Sequence, residues 1–212
     1  MEQVTKRHNA KETARVEAFS DGVFAIAITL LVLELIQTLH VRSEEGLVQA
    51  MLGHWQSFLA FTIGFVTILV CWINHHIGVE FIIRSDTGFM WVNGFLLFVV
   101  TLTPFPTAML AEYLETDTAM AFAMFSLNYV LISIAADGIC SYAYNHHLIE
   151  EEHREYYYSY KKIYRYAIFF NIVTFALCFV SIIFPIVMNV MLFAVFAAPK
   201  TFASKLQKMR KG

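Results

Sequence analysis

The chain has 212 residues, of which 58% are hydrophobic and only 15% charged, and its mean hydropathy is +0.58. A water-soluble domain carries about 25% charged residues. The composition therefore excludes an ordinary soluble fold and reads as one compact helical membrane domain over residues 1–212. The net charge of −2 offers no electrostatic case for nucleic-acid binding.

Apolar windows of about 20 residues predict six spans. The first covers about 16–39 and has Thr29 as its only polar side chain between Val23 and Leu33. Yet it opens on Arg15, Glu17, Ser20 and Asp21 and carries Glu34 near its far end. A charge at the centre of a helix in hydrocarbon costs at least about 2.5–3.5 kcal/mol, so these groups need partners or an aqueous path. The next three spans are expected at about 55–77, 89–110 and 119–142. Residues 166–198 must then hold two more. Proline is tolerated in the first turn of a helix and not in its interior, so Pro185 divides them into 163–184 and 185–202.

Six spans put 14 of the 15 Lys and Arg on the side of both termini and leave only Arg42 opposite. The positive-inside rule then expects a multi-pass protein of the cell membrane with both termini in the cytoplasm. The first 17 residues have no apolar core, so no cleaved signal peptide is expected. Glu44, Glu45, Glu112, Glu115 and Asp117 make the opposite side acidic. They could concentrate cations at an outer vestibule or simply solvate short loops. In the fourth loop, Tyr156, Tyr157, Tyr158 and Tyr160 beside Lys161 and Lys162 read as an interfacial belt. Cys71, Cys140 and Cys178 each lie in an apolar run and are expected as buried free thiols.

On a wheel of about 100° per residue, Ile26, Leu30, Leu33 and Gln37 share one face of the first span, and Phe19 and Arg15 continue it. Thr29 flanks this stripe, and Asp21 projects about 140° away from Ile26. Periodicity alone lets such a stripe face lipid, protein core or a pore.

The segment Arg15-Val16-Glu17-Ala18-Phe19-Ser20-Asp21 matches the RxxxFSD signature at the head of the first helix of the lysosomal and prokaryotic TMEM175-type potassium channels. The chain resembles that family in two further places. Trp72-Ile73-Asn74-His75-His76 is similar to its second helix, and Asn93 with Leu102-Thr103-Pro104-Phe105-Pro106-Thr107 to its third. The resemblance implies an all-α potassium-permeable channel with six transmembrane helices per subunit and a pore lined by the first helix of each. It implies a constriction at Ile26, Leu30 and Leu33, with Thr29 as a hydroxyl contact for the ion. Rings of branched apolar side chains can close a pore by dewetting. It also implies a structural polar network of Arg15, Phe19, Ser20, Asp21, Trp72, His75 and Asn93. With a single signature copy, the expected assembly is a homotetramer in the lipid bilayer. Its expected partners are monovalent cations, chiefly permeant K+, with no cofactor.

Other signals compete. Thr62-Ile63-Gly64-Phe65 resembles a TVGYG filter, but Val66 follows and the segment lies mid-span. Without stacked carbonyl sites, potassium is expected to be only modestly preferred over sodium. His75, His76 and Glu80, or His146, His147 and His153 beside Glu150, Glu151 and Glu152, have metal-ligand chemistry. A structural network and a solvated loop explain them better, and no metal site is expected. Asp137 fits a proton relay or a helix contact, and Glu34 an outer pore mouth or a neighbouring helix. The alternative class is a secondary transporter, proton-coupled or not, using Asp21, His75 and Asp137. No inverted repeat supports it. An intramembrane enzyme would need a nucleophile–base or metal set that the spacing does not supply.

Overall fold

The computed structural model describes residues 2–40, 46–181 and 183–197, without the side chains of 2–10, 38–40 and 50. Arg42, Glu44, Glu45, the basic C-terminal segment and the expected last span end at Phe202 lie outside the described residues. The elements are α1 (Glu2–His40), α2 (Leu47–Gly53), α3 (Trp55–Val79), α4 (Thr87–Thr101), α5 (Pro104–Tyr113), α6 (Thr118–Asn145), α7 (Arg154–Leu177) and α8 (Ile183–Ala197). Among the described residues, four stretches are long and apolar enough to cross a membrane: Lys11–Gln37, Trp55–Val79, Thr87–Tyr113 and Thr118–Asn145.

The third of these is bent where α4 meets α5. Pro104 and Pro106 have no N–H, so the carbonyls of Val100 and Leu102 lose their usual donors four residues on. They accept instead from Thr103 (3.0 Å) and Phe105 (3.0 Å), which tightens the turn. The buried Thr103 hydroxyl accepts from Asn128 Nδ2 of α6 at 3.0 Å, fixing the bend against a neighbour.

The last two helices divide earlier than the sequence suggested. α7 ends at Leu177, the chain turns at 178–180, and Pro185 is the third residue of α8. The first four N–H groups of a helix have no internal partner, so a helix containing Pro185 can start only within a turn of it. α7 also begins at Arg154, well before the expected Ile163. Tyr157, Tyr160 and Tyr164 thereby fall on one helical face and are buried in the core. Only part of the expected tyrosine belt lies outward: Tyr158 is half-buried with Lys162 Nζ 5.1 Å from its ring centroid. The three thiols are free, with Cys140 and Cys178 buried and Cys71 half-buried.

α1 packs on α3 and α4, and α6 packs between α4, α5 and α7. The main core gathers Phe24, Leu31, Ile68, Phe89, Leu96 and Val100. Gly64 permits the closest approach: a Cβ there would sit 2.8 Å from Thr107 Oγ1 and 3.2 Å from Leu31 Cδ2. At one end of the bundle the α3–α4 and α6–α7 connections are stitched together. Ile82 pairs with Ile149, and the Ile83 N–H donates to the Leu148 carbonyl at 2.9 Å.

Candidate ion-path helix and its polar anchor

α1 has two unlike faces. Val16, Ser20, Phe24, Ala27 and Leu31 recur at three- and four-residue spacing and are buried against α3 and α4. On the other side Phe19, Ile26, Leu30 and Leu33 are 66%, 59%, 39% and 53% exposed. Thr29 is exposed beside them, and its hydroxyl donates to the Ile26 carbonyl at 2.8 Å. With the hydroxyl proton engaged in the helix, what Thr29 presents outward is oxygen lone pairs.

The buried face carries hydrogen bonds that hold it. Trp72 Nε1 of α3 donates to Asp21 Oδ1 at 2.8 Å. Asn93 Nδ2 of α4 donates to Ser20 Oγ at 2.9 Å, and Ser20 donates to the Val16 carbonyl at 2.8 Å. Asn93 Oδ1 therefore accepts, and His75 Nε2, 2.8 Å away, must carry the proton. The network assigns that tautomer and leaves His75 Nδ1 a lone pair.

One further pair was not anticipated: Glu17 Oε1 lies 3.1 Å from His76 Nδ1, and His76 stacks on Trp72 at 6.0 Å. Glu17 precedes Asp21 by four residues and His76 follows Trp72 by four. Antiparallel helices with those two spacings meet in both pairs at once, a signal available in the sequence.

Arg15 and Phe19 share a groove with one member of this set, Asn93. They lie about 140° and 100° round the helix from Ser20, along a groove between α1 and α4. Glu34 is half-buried over a cleft of about 700 Å³ shared with His54, Glu112 and Glu115 of its own chain. Asp137 Oδ2 lies 3.8 Å from Arg165 Nη2 and accepts from Ser141 at 3.3 Å, bridging α6 and α7. Thr62–Phe65 is regular helix within α3. Among the described residues, no group of three or more His, Cys, Asp and Glu is arranged to hold a metal ion.

Residues 15–104, which contain both faces of α1 and every member of the anchor, match the family described as the endosomal/lysosomal potassium channel TMEM175. A potassium channel of Chamaesiphon minutus is 42% identical over 175 residues, covering 81% of this chain and 86% of its own. The chain belongs to the TMEM175 family. A potassium channel of Streptomyces collinus is 45% identical over 130 residues, 60% of this chain and 63% of its own. The crystal structure of a lysosomal potassium-selective channel TMEM175 homolog from Chamaesiphon minutus superimposes with a TM-score of 0.77 at 39% identity. That superposition covers 90% of this chain and 98% of the other. As a TMEM175 family member this is a membrane protein whose relatives are ion channels, not enzymes.

Proposed function

We propose that this TMEM175 family member is a potassium-permeable cation channel in which the first helices of four identical subunits surround the ion path. The observation that carries this is the division of α1. A helix fastened by Asp21–Trp72 and Ser20–Asn93 on one side leaves Ile26, Leu30 and Leu33 uncovered on the other. One such helix cannot enclose a path, but a closed ring of identical copies can. In that ring Ile26, Leu30 and Leu33 form the constriction, which closes by dewetting, and Thr29 offers lone pairs to a passing ion. Ser20, Asp21, Trp72, His75 and Asn93 hold the helix and do not touch ions.

The same reading takes 1–212 as one channel domain, with α7 and α8 completing six spans. Both termini lie in the cytoplasm and the protein sits in the cell membrane. Potassium is preferred over sodium only modestly, since side-chain rings lack stacked carbonyl sites.

Liposome efflux of potassium, compared with sodium, tests the reading. Ile26→Asn is expected to raise basal flux or to change selectivity, and an unchanged current overturns a constriction there. Slow, saturable, proton-driven flux would overturn the channel in favour of a carrier using Asp21, His75 and Asp137.

A further inference from the structure

α7 changes character along its length as well as across it. Its inner face, with Tyr157, Tyr160, Tyr164 and Asn171, is buried, and the helix packs on α6 and α8. The opposite face carries Tyr158, Lys162, Arg165, Phe169, Ile172 and Ala176, all within about 40° of one line at about 100° per residue. The last three are apolar and exposed. Arg165 to Ala176 is about 16 Å of helix, close to one leaflet of a hydrocarbon core about 30 Å thick. Lys162 and Arg165 therefore fall at headgroup level, and the exposed ring of Tyr166 falls beside them.

Both cations keep charge and donors to offer. Lys162 Nζ is 5.1 Å from the Tyr158 ring centroid, a contact that does not cancel its charge. Arg165 Nη2 lies 3.8 Å from Asp137 Oδ2, beyond hydrogen-bond length, and its side chain is 64% exposed. Three residues apart on a helix, the two side chains start about 5–6 Å from each other and can grip one phosphate between them. Arg154 and Lys161 add positive charge behind the pair, 4.6 Å and 5.3 Å from the Tyr144 ring centroid. Acidic groups are present too. Asp137 stands beside Arg165, and Glu155 lies about two turns before Lys162 on the same line. Glu150, Glu151 and Glu152 are about 15 Å or more from Lys162 along the axis, past the Debye length of about 8–10 Å. A zwitterionic headgroup would bring an ammonium toward Lys162 and Arg165, whereas a net-negative one brings only the phosphate.

We propose that this face of α7 is a binding site for one anionic phospholipid, the phosphate held between Lys162 and Arg165 and an acyl chain lying along Phe169, Ile172 and Ala176. The charged pair supplies the preference for the headgroup, and the apolar run below it supplies the wall for the chain. The site does not depend on α1 lining an ion path.

Native mass spectrometry of the full-length protein in detergent tests this, with phosphatidylglycerol titrated against phosphatidylcholine of the same chains. Each Lys or Arg near a membrane surface favours anionic lipid about fivefold, so the protein should retain phosphatidylglycerol at least about tenfold more tightly. Lys162→Gln, which leaves Arg165 and Asp137 in contact, should cut the preference about fivefold. Lys162→Gln combined with Arg165→Gln should abolish it, whereas Arg84→Gln, in the neighbouring α3–α4 connection, should leave it unchanged. Equal retention of the two lipids, an undiminished preference in Lys162→Gln, or an equal loss in Arg84→Gln overturns the proposal. A changed subunit number in Lys162→Gln overturns it as well, in favour of a contact between copies of the chain. The lipid preference is read without ion flux, so it stands or falls separately from the channel reading.

Discussion

Leu30 and Leu31 are neighbours in sequence and identical in chemistry, yet Leu31 is 1% exposed and Leu30 is 39% exposed. The difference belongs to the two faces of α1. Leu31 sits in the row with Val16, Ser20, Phe24 and Ala27 that meets α3 and α4, and it touches the space that Gly64 keeps open. Leu30 stands with Ile26 and Leu33 on the exposed face. Hydrophobicity therefore says little about the task of a residue in this helix. What separates the faces is polar chemistry: the covered face carries Ser20, with Asp21 and Glu17 beside it, each met by a partner on α3 or α4.

Substitution along the two faces should reproduce that contrast. Leu31→Ala is expected to destabilise the subunit by about 2–5 kcal/mol, as large-to-small core changes do, read as loss of thermal stability in detergent. A loss below about 0.5 kcal/mol would erase the distinction. Asn93→Leu removes the link between His75 and Ser20 and strands the Nε2–H. It should cost about 1–3 kcal/mol while leaving cation selectivity unchanged, and altered selectivity in a well-folded assembly would reassign the anchor to ion handling. Gly64→Ala forces a methyl against Thr107 Oγ1 at 2.8 Å and should cost about 1–3 kcal/mol. If instead it altered selectivity without loss of stability, the helical Thr62–Phe65 segment would need another role. Leu30→Ala should move stability by less than about 0.5 kcal/mol but raise potassium efflux from liposomes, the smallest structural effect with a functional one attached.

Much of the helix pattern was legible before the structure, because runs such as 119–142 differ little from α6 at Thr118–Asn145. Boundaries failed where local polarity misled. Arg154, Glu155, Tyr156 and Tyr157 read as loop, although the row of Tyr157, Tyr160 and Tyr164 already carried helical spacing. Pro185 drew the division to itself because the wheel and hydropathy do not show how far upstream a proline is felt. At the site, the resemblance pointed to Trp72, His75 and Asn93 as partners of Ser20 and Asp21. It did not supply Glu17–His76, a pair that appears only when the two residues are taken as rungs between antiparallel helices.

The stitch between Ile82 and Ile149 has a mechanical consequence. It joins the end of the α3–α4 pair to that of the α6–α7 pair through backbone atoms, with Arg84 adding a bond to the His146 carbonyl at 3.3 Å. Ile82, Leu148 and Ile149 are buried around it, while the Ile83 side chain is exposed. The Ile83 amide should accordingly exchange its hydrogen only when the two connections part, more slowly than an amide of an unpaired loop. Among the described residues α1 has no backbone tie of that kind, and its bonds to α3 and α4 run through side chains.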